Sequence, residues 1–304
     1  MGRSPRQTAL APLSPVVEAY LRMAAAVGED LASAALSSGR QDPLDLRDPR
    51  YIEQTLPALR LMSTLYFRAS VAGLENIPPE GPVLLVGNHS GGTWIADTFV
   101  FAQSFYDHFG ADRRFHQLAH DLVFKFVGLR ALAQRYGTVP ASPDAMKTAL
   151  DRGSALLVYP GGDEETYRPS WESDKIDLAQ RTGFVALALK HGVPIVPVVA
   201  IGGQETALFL GRGRRLARWL RLDRTLRLKV FPPALGPPAL LTILDLPIRF
   251  PLPAKISIEV LEPIDLREQL GPSPDIEEGY RAVTSVMQET LTKLGGERTL
   301  PVLG

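Results

Sequence analysis

Gly81-Pro82-Val83-Leu84-Leu85-Val86-Gly87-Asn88-His89-Ser90-Gly91-Gly92 runs from a Pro/Gly turn through four aliphatic residues into a polar, glycine-rich loop. A short apolar run bounded by turn signals is the pattern of a strand buried on both faces. In open α/β sheets, functional groups gather just beyond the carboxyl ends of such strands, which is where His89 falls. A second run, Ala155-Leu156-Leu157-Val158-Tyr159, ends in Pro160-Gly161-Gly162-Asp163-Glu164-Glu165, and a third covers residues 194–199. Helical stretches are predicted around 94–109, 118–135 and 184–191. Strands alternating with helices predict an α/β domain, a mixed sheet flanked by helices.

Outward from that centre, Ile52, Leu56, Leu59, Met62 and Tyr66 recur at helical spacing, with Thr55 a candidate cap and Pro57 tolerated in a first turn. Residues 276–294 read as an amphipathic helix covering the domain. Residues 1–48, rich in Ala, Ser and Pro with one helical pattern at 16–36, are expected to be an N-terminal appendage. Residues 49–304 are expected to form one domain.

Of 304 residues, 45% are hydrophobic and 22% charged, the balance of a globular chain able to bury a core. Lys+Arg and Asp+Glu both number 33, so no global field holds a polyanion, and no nucleic acid is expected as partner. Cysteine is absent, which removes disulfides, thiolate nucleophiles and Cys-ligated metals and fits a reducing compartment. The stretch behind Arg3 and Arg6 is broken by Pro12, Pro15 and Glu18, a poor signal peptide. No apolar run approaches the roughly 20 residues that span a bilayer. The expected location is cytoplasmic, at the cytoplasmic face of a membrane.

His89 with a carboxylate orienting its second ring nitrogen is a general-base pair, and Asp97 lies close along the chain. A lone loop histidine is as readily a hydrogen-bonded structural group; the Asn88-His89-Ser90-Gly91-Gly92 context favours chemistry. Gly91 and Gly92 allow a tight turn and a close ligand. Gly161 and Gly162 offer backbone N–H groups to an oxyanion or an anionic head group, or form a plain turn. Arg135 is a candidate phosphate clamp, although arginines also gather at helix ends for the dipole.

Gly73-Leu74-Glu75-Asn76-Ile77-Pro78 followed by residues 81–89 resembles the opening of the lysophospholipid/glycerolipid acyltransferase superfamily. The resemblance continues through 135–140, 159–162 and Gly192-Val193-Pro194-Ile195-Val196-Pro197-Val198, and covers about residues 68–265. It implies a catalytic pair of His89 and an aspartate, usually with four residues between them. Trp94 stands at that spacing here, and Asp97 follows His89 with seven residues between. The candidate substrate contacts are Asn88, Gly91, Gly92, Arg135, Gly161, Gly162 and Glu164. The family's common Phe-Pro-Glu-Gly-Thr-Arg is replaced by Tyr159-Pro160-Gly161-Gly162-Asp163-Glu164. The Pro-Gly-Gly form resembles the branch with diacylglycerol and other neutral-alcohol acyltransferases. Glu164 in place of Arg is expected to repel a phosphate-bearing acceptor.

The implied reaction moves a fatty acyl group from acyl-CoA or acyl-carrier protein to a lipid hydroxyl, without metal or further cofactor. An esterase using Ser90 lacks the Gly-x-Ser-x-Gly elbow. A non-catalytic lipid-binding protein is the other alternative, supported by the shifted aspartate. Residues 212–253 carry Arg214, Arg215, Arg218, Arg221, Arg224 and Arg227 among Leu and Trp219, followed by a Pro/Leu-rich stretch. They are expected to be a peripheral membrane contact; a solvated basic helix before a buried crossover fits the same pattern.

Overall fold

The computed structural model describes residues 42–93, 95–125, 127–225, 229–235 and 251–300. The predicted helical pattern at 16–36, Trp94 and residues 236–250 lie outside them. In chain order the elements are α1 (Pro49–Leu61), β1 (Ser70–Ala72), β2 (Val83–Gly87), α2 (Ala96–Phe109), β3 (Phe115–Ala119), α3 (Val127–Arg135), β4 (Thr138–Pro140), α4 (Pro143–Asp151) and β5 (Ala155–Val158). They continue with α5 (Gly162–Thr166), α6 (Gly183–His191), β6 (Ile195–Ile201), β7 (Leu208–Phe209), α7 (Arg214–Trp219), α8 (Leu222–Thr225), β8 (Ala234–Leu235), β9 (Ser257–Val260), α9 (Leu266–Leu270) and α10 (Ile276–Gly296).

Among the described residues, seven strands form one sheet in the order β1-β9-β6-β2-β5-β3-β4, and β7 pairs with β8 in a separate ribbon. Strands β6, β2, β5, β3 and β4 are mutually parallel, while β9 is antiparallel to β6 and carries β1 in parallel at the far edge. This is the expected mixed sheet flanked by helices.

Strand β2 is central and wholly buried, as its unbroken aliphatic run requires. The pleat divides its side chains between two cores. Val83 and Leu85 join Val100, Phe101, Phe105 and Phe115 on one face. Leu84 and Val86 join Leu156, Phe184, Val185, Val283 and Leu291 on the other. Helix α10 closes the second core with Val283, Met287, Leu291 and Leu294, spaced four, four and three apart. Truncating such a residue to Ala typically costs about 2–5 kcal/mol.

Two details depart from the sequence expectations. Asp48, not Thr55, caps α1 by accepting from Tyr51 N at 3.1 Å, and Pro57 lies inside the helix. Thr55 Oγ instead donates back to the Tyr51 carbonyl at 2.8 Å. The stretch 118–135 is not one helix. Strand β3 ends at Ala119, and α3 begins only at Val127 after a 3-10 turn. The polar His116 and Gln117 break the apolar run that would have marked β3. Residues 42–48, the described part of the expected appendage, make polar contacts with the α/β unit. Arg47 donates to the Arg113 carbonyl at 2.7 Å, and Arg152 reaches Asp42 and Asp45 at 2.6 and 2.8 Å.

Candidate active site

From β2 the chain first crosses to β3 and β4, then returns through β5 on one flank of β2 and β6 on the other. The carboxyl ends of three adjacent parallel strands therefore deliver three loops to one place, at residues 88–92, 159–165 and 202–206. Asn88 extends the ladder by side chain. Its Nδ2 donates to the Ala200 carbonyl, and its Oδ1 accepts from Ala200 N, both at 2.8 Å. Asn88 is fully buried and both amide atoms are committed, so it anchors the strand end and does not present itself to a substrate.

His89 is placed on the next residue. Its ring stacks on Tyr159, with centroids 4.2 Å apart and planes 19° from parallel. Burial raises the Tyr159 phenol well above its ordinary range, keeping it neutral, and Thr98 Oγ donates to that oxygen at 2.9 Å. Gly87 makes room for this platform: a Cβ there would lie 2.5 Å from Tyr159 Cε1.

Asp97 enters from the first turn of α2, where the helix N-terminus favours a carboxylate. His89 Nδ1 lies 3.6 Å from Asp97 Oδ2, with Asp97 almost fully buried. That separation exceeds a hydrogen bond, and Nδ1 is buried with no hydrogen-bond partner among the described residues. Asp97 Oδ2 accepts from Ser90 N at 2.9 Å and Ser90 Oγ at 3.1 Å, while Oδ1 accepts from Thr98 N at 2.7 Å. Catalytic hydrogen bonds are often long without substrate and tighten in the complex. Ser90 is buried with its hydroxyl turned to Asp97, unlike the exposed nucleophile of a hydrolase elbow.

The peptide groups of His89 are gripped from both sides. Glu165 Oε2 accepts from His89 N at 2.9 Å, and Arg168 Nη1 donates to the His89 carbonyl at 2.9 Å. Glu165 and Arg168 are themselves buried and 3.9 Å apart. Burial pushes the Glu165 carboxyl up to about 7, against the opposing pull of Arg168. Arg168 also donates to the carbonyls of Glu165 and Glu172. Neither residue of this bracket carried a motif signal beyond the run that contains Glu165. A glutamate and an arginine three apart just after a buried strand were the only available hint.

The glycines divide by role. Gly91 and Gly92 take φ of 92° and 66°, the left-handed region that reverses the chain behind His89. Gly92 N donates to the Thr166 carbonyl at 3.2 Å and Gly91 N to Gln204 Oε1 at 3.4 Å, so both are tied to the protein. Gly162 N donates back to the Tyr159 carbonyl at 3.1 Å. At Gly161 a Cβ would run into the Glu165 carboxylate and the Asp177 carbonyl.

Two expectations need correction. Glu164 is not a bare negative charge. Arg214 Nη2 lies 2.7 Å from its carboxylate and Arg212 Nε 3.8 Å from it, so the repulsion expected of it is offset locally. Arg135 is not brought to the site. It precedes β4, at the amino end of the parallel strands, whereas His89 lies at the carboxyl end. Its guanidinium sits over the Tyr51 ring, 4.6 Å from the centroid. A shallow groove on α10, lined by Ile176, Arg281, Thr284, Gln288 and Thr292, contains none of the strand-end residues.

Residues 68–201 match the family model described as Acyltransferase. An uncharacterized protein of Mycobacterium tuberculosis is 29% identical over 80% of this chain and 66% of its own length. The chain thus spans about two thirds of that relative. A Bos taurus protein named "DGAT1/2-independent enzyme synthesizing storage lipids" is 32% identical over 49% of this chain and 43% of its own. The crystal structure of the 1-acyl-sn-glycerophosphate acyltransferase PlsC from Thermotoga maritima shares the fold. It has a TM-score of 0.54 and 19% identity, covering 94% of this chain and 97% of that one. The matched segment contains all three strand ends that form the site, and over it the chain is similar to the acyltransferase family.

Proposed function

We propose that the protein transfers a fatty acyl group from a thioester, acyl-CoA or acyl-carrier protein, to the hydroxyl of a neutral glycerolipid or other lipid alcohol. The observation that carries this reading is the His89 ring, stacked on Tyr159 with Nδ1 turned to the buried Asp97 carboxylate. Nε2 is then the nitrogen left for an incoming hydroxyl. It takes the hydroxyl proton as the alcohol oxygen adds to the thioester carbonyl. The tetrahedral intermediate collapses, the C–S bond breaks, and the leaving thiolate recovers the proton from His89. Asp97 stabilises the imidazolium formed between these steps. The Gly161 N–H, which has no hydrogen-bond partner among the described residues, is the candidate oxyanion donor in the loop.

The neutral acceptor rests on the arginines and on the name of the bovine relative. Arg168, Arg181, Arg212 and Arg214 around the 159–165 loop are bound to protein carbonyls or carboxylates. A phosphate would have to displace one of them. The test is acyl transfer from a labelled thioester to a panel of mono- and diacylglycerol, long-chain alcohol and lysophosphatidate. Neutral alcohols should be acylated at least as well as lysophosphatidate. A clear preference for lysophosphatidate overturns the acceptor assignment, and release of free fatty acid alone overturns transferase chemistry.

A further inference from the structure

Large apolar side chains stand exposed beside the site. Trp171 is 66% and Trp219 78% accessible, and Leu208, Leu210 and Leu220 are also exposed. They are not scattered. Leu208 and Leu210 flank the buried Phe209, as alternation along a strand dictates. Ser170, next to Trp171, accepts from Phe209 N at 2.9 Å. Arg212 Nη1 bonds Glu172 Oε2 at 2.8 Å, lacing the Trp171 turn to the segment that enters α7. On α7 the buried Ala217 faces inward, while Arg215 and Trp219, four apart, share an exposed stripe with Arg218 beside them.

This surface is joined to the reactive loops. Tyr167 packs edge-on against Phe209, with centroids 5.9 Å apart, and its hydroxyl meets Thr93 Oγ1 at 2.9 Å, directly after Gly92. Arg214 holds Glu164 in the 159–165 loop.

We infer that Trp171, Leu208, Leu210, Trp219 and Leu220, with Arg215 and Arg218, form a surface that docks on an anionic lipid bilayer and sets the acyl-acceptor site at its interface. The inference rests on the lipid-alcohol reading above. Exposed tryptophans favour the headgroup zone. Leucines bury their area in the acyl boundary, and guanidinium groups without ion-pair partners among the described residues are attracted to anionic headgroups. No described helix is long and apolar enough to cross a membrane. The surface includes Trp171, β7 and α7, and thus extends well before the 212–253 stretch expected from sequence.

The test is co-sedimentation of the full chain with phosphatidylcholine vesicles, with and without phosphatidylglycerol, beside turnover on acceptor in vesicles and in detergent micelles. The double variant Trp171→Ala/Trp219→Ala should weaken vesicle binding by more than about tenfold, or 1.4 kcal/mol. It should lose turnover on vesicle-borne acceptor and keep turnover on micellar acceptor. Arg215→Gln/Arg218→Gln should weaken binding only to phosphatidylglycerol-containing vesicles, by about fivefold per charge removed. His89→Ala should bind vesicles like the parent. If it does so and no variant or parent transfers acyl groups, the docking surface stands and the acyl-transfer reading falls. Unchanged vesicle binding in the tryptophan variant overturns the inference. So does a variant that keeps vesicle binding and instead breaks up a dimer, which would make this face a contact between copies of the chain.

Discussion

His89 Nδ1 lies 3.6 Å from Asp97 Oδ2, although seven residues separate the two in the chain. The extra residues are taken up by Gly91 and Gly92, whose left-handed backbones turn the chain so that α2 starts with Asp97 pointing back at the strand end. Ser90 fixes Asp97 by both N–H and hydroxyl. Asp97→Asn should lower kcat by about 10²-fold or more with little change in KM, because a neutral amide no longer stabilises the imidazolium. Ser90→Ala keeps the backbone tie and should stay within about tenfold of the parent. Steady-state kinetics on both variants checks this; a Ser90 variant as inactive as the Asp97 variant would point to a serine nucleophile.

Glu165 and Arg168 hold the two peptide groups of His89, and each compensates the other's buried charge. Glu165→Ala should cost about 3–5 kcal/mol of stability, since it leaves a buried guanidinium uncompensated. Glu165→Gln also removes the counter-charge of Arg168 but keeps the acceptor for His89 N, so it should cost less than Glu165→Ala. The Glu165 carboxyl is raised from 4.5 to about 7 in the fold. Its protonated form therefore adds stability that is complete below pH 4.5 and lost as pH rises through 7. Denaturant midpoints of parent and Gln variant, compared across that window, should show the parent losing ground as pH rises.

His116 titrates with the opposite sign. It is buried between Ser154 Oγ, 3.0 Å from Nδ1, and the Leu44 carbonyl, 3.3 Å from Nε2. Burial lowers it from 6.5 to about 4. Stability is then present above pH 6.5 and lost as pH falls through 4, by roughly 3 kcal/mol at full extent. Replacing His116 with Gln should flatten this acid limb in urea denaturation. An unchanged limb would show that another group drives it.

Asn88→Ala should behave as a stability variant. It orphans the buried N–H and carbonyl of Ala200, at about 1–3 kcal/mol for each group. The thermal midpoint should drop while KM of the surviving folded enzyme stays near the parent value. A raised KM at unchanged midpoint would restore Asn88 as a substrate contact.

What was legible in the sequence was whatever a local pattern dictates. The aliphatic run of β2 placed His89 at a strand end, and the spacing of Val283, Met287, Leu291 and Leu294 gave α10. Strand β3 escaped because Phe115-His116-Gln117-Leu118-Ala119 has no unbroken apolar run, and its burial comes from neighbours distant in the chain. The Glu165–Arg168 bracket escaped for a related reason. Its partner is the His89 backbone, more than seventy residues away, and no spacing encodes that contact. The charge balance at Glu164 is not legible in its own loop, because Arg212 and Arg214, which offset its charge, come from the β7–α7 segment.

The central claim is that His89 is the proton-transferring base of acyl transfer. It is tested most directly by labelled-thioester turnover of His89→Ala, with the thermal midpoint measured on the same preparation. The account predicts an unchanged midpoint and a loss of turnover of about 10²–10⁴-fold, the usual contribution of a positioned base. A folded His89→Ala protein that still transfers acyl groups at near-parent rates would contradict it.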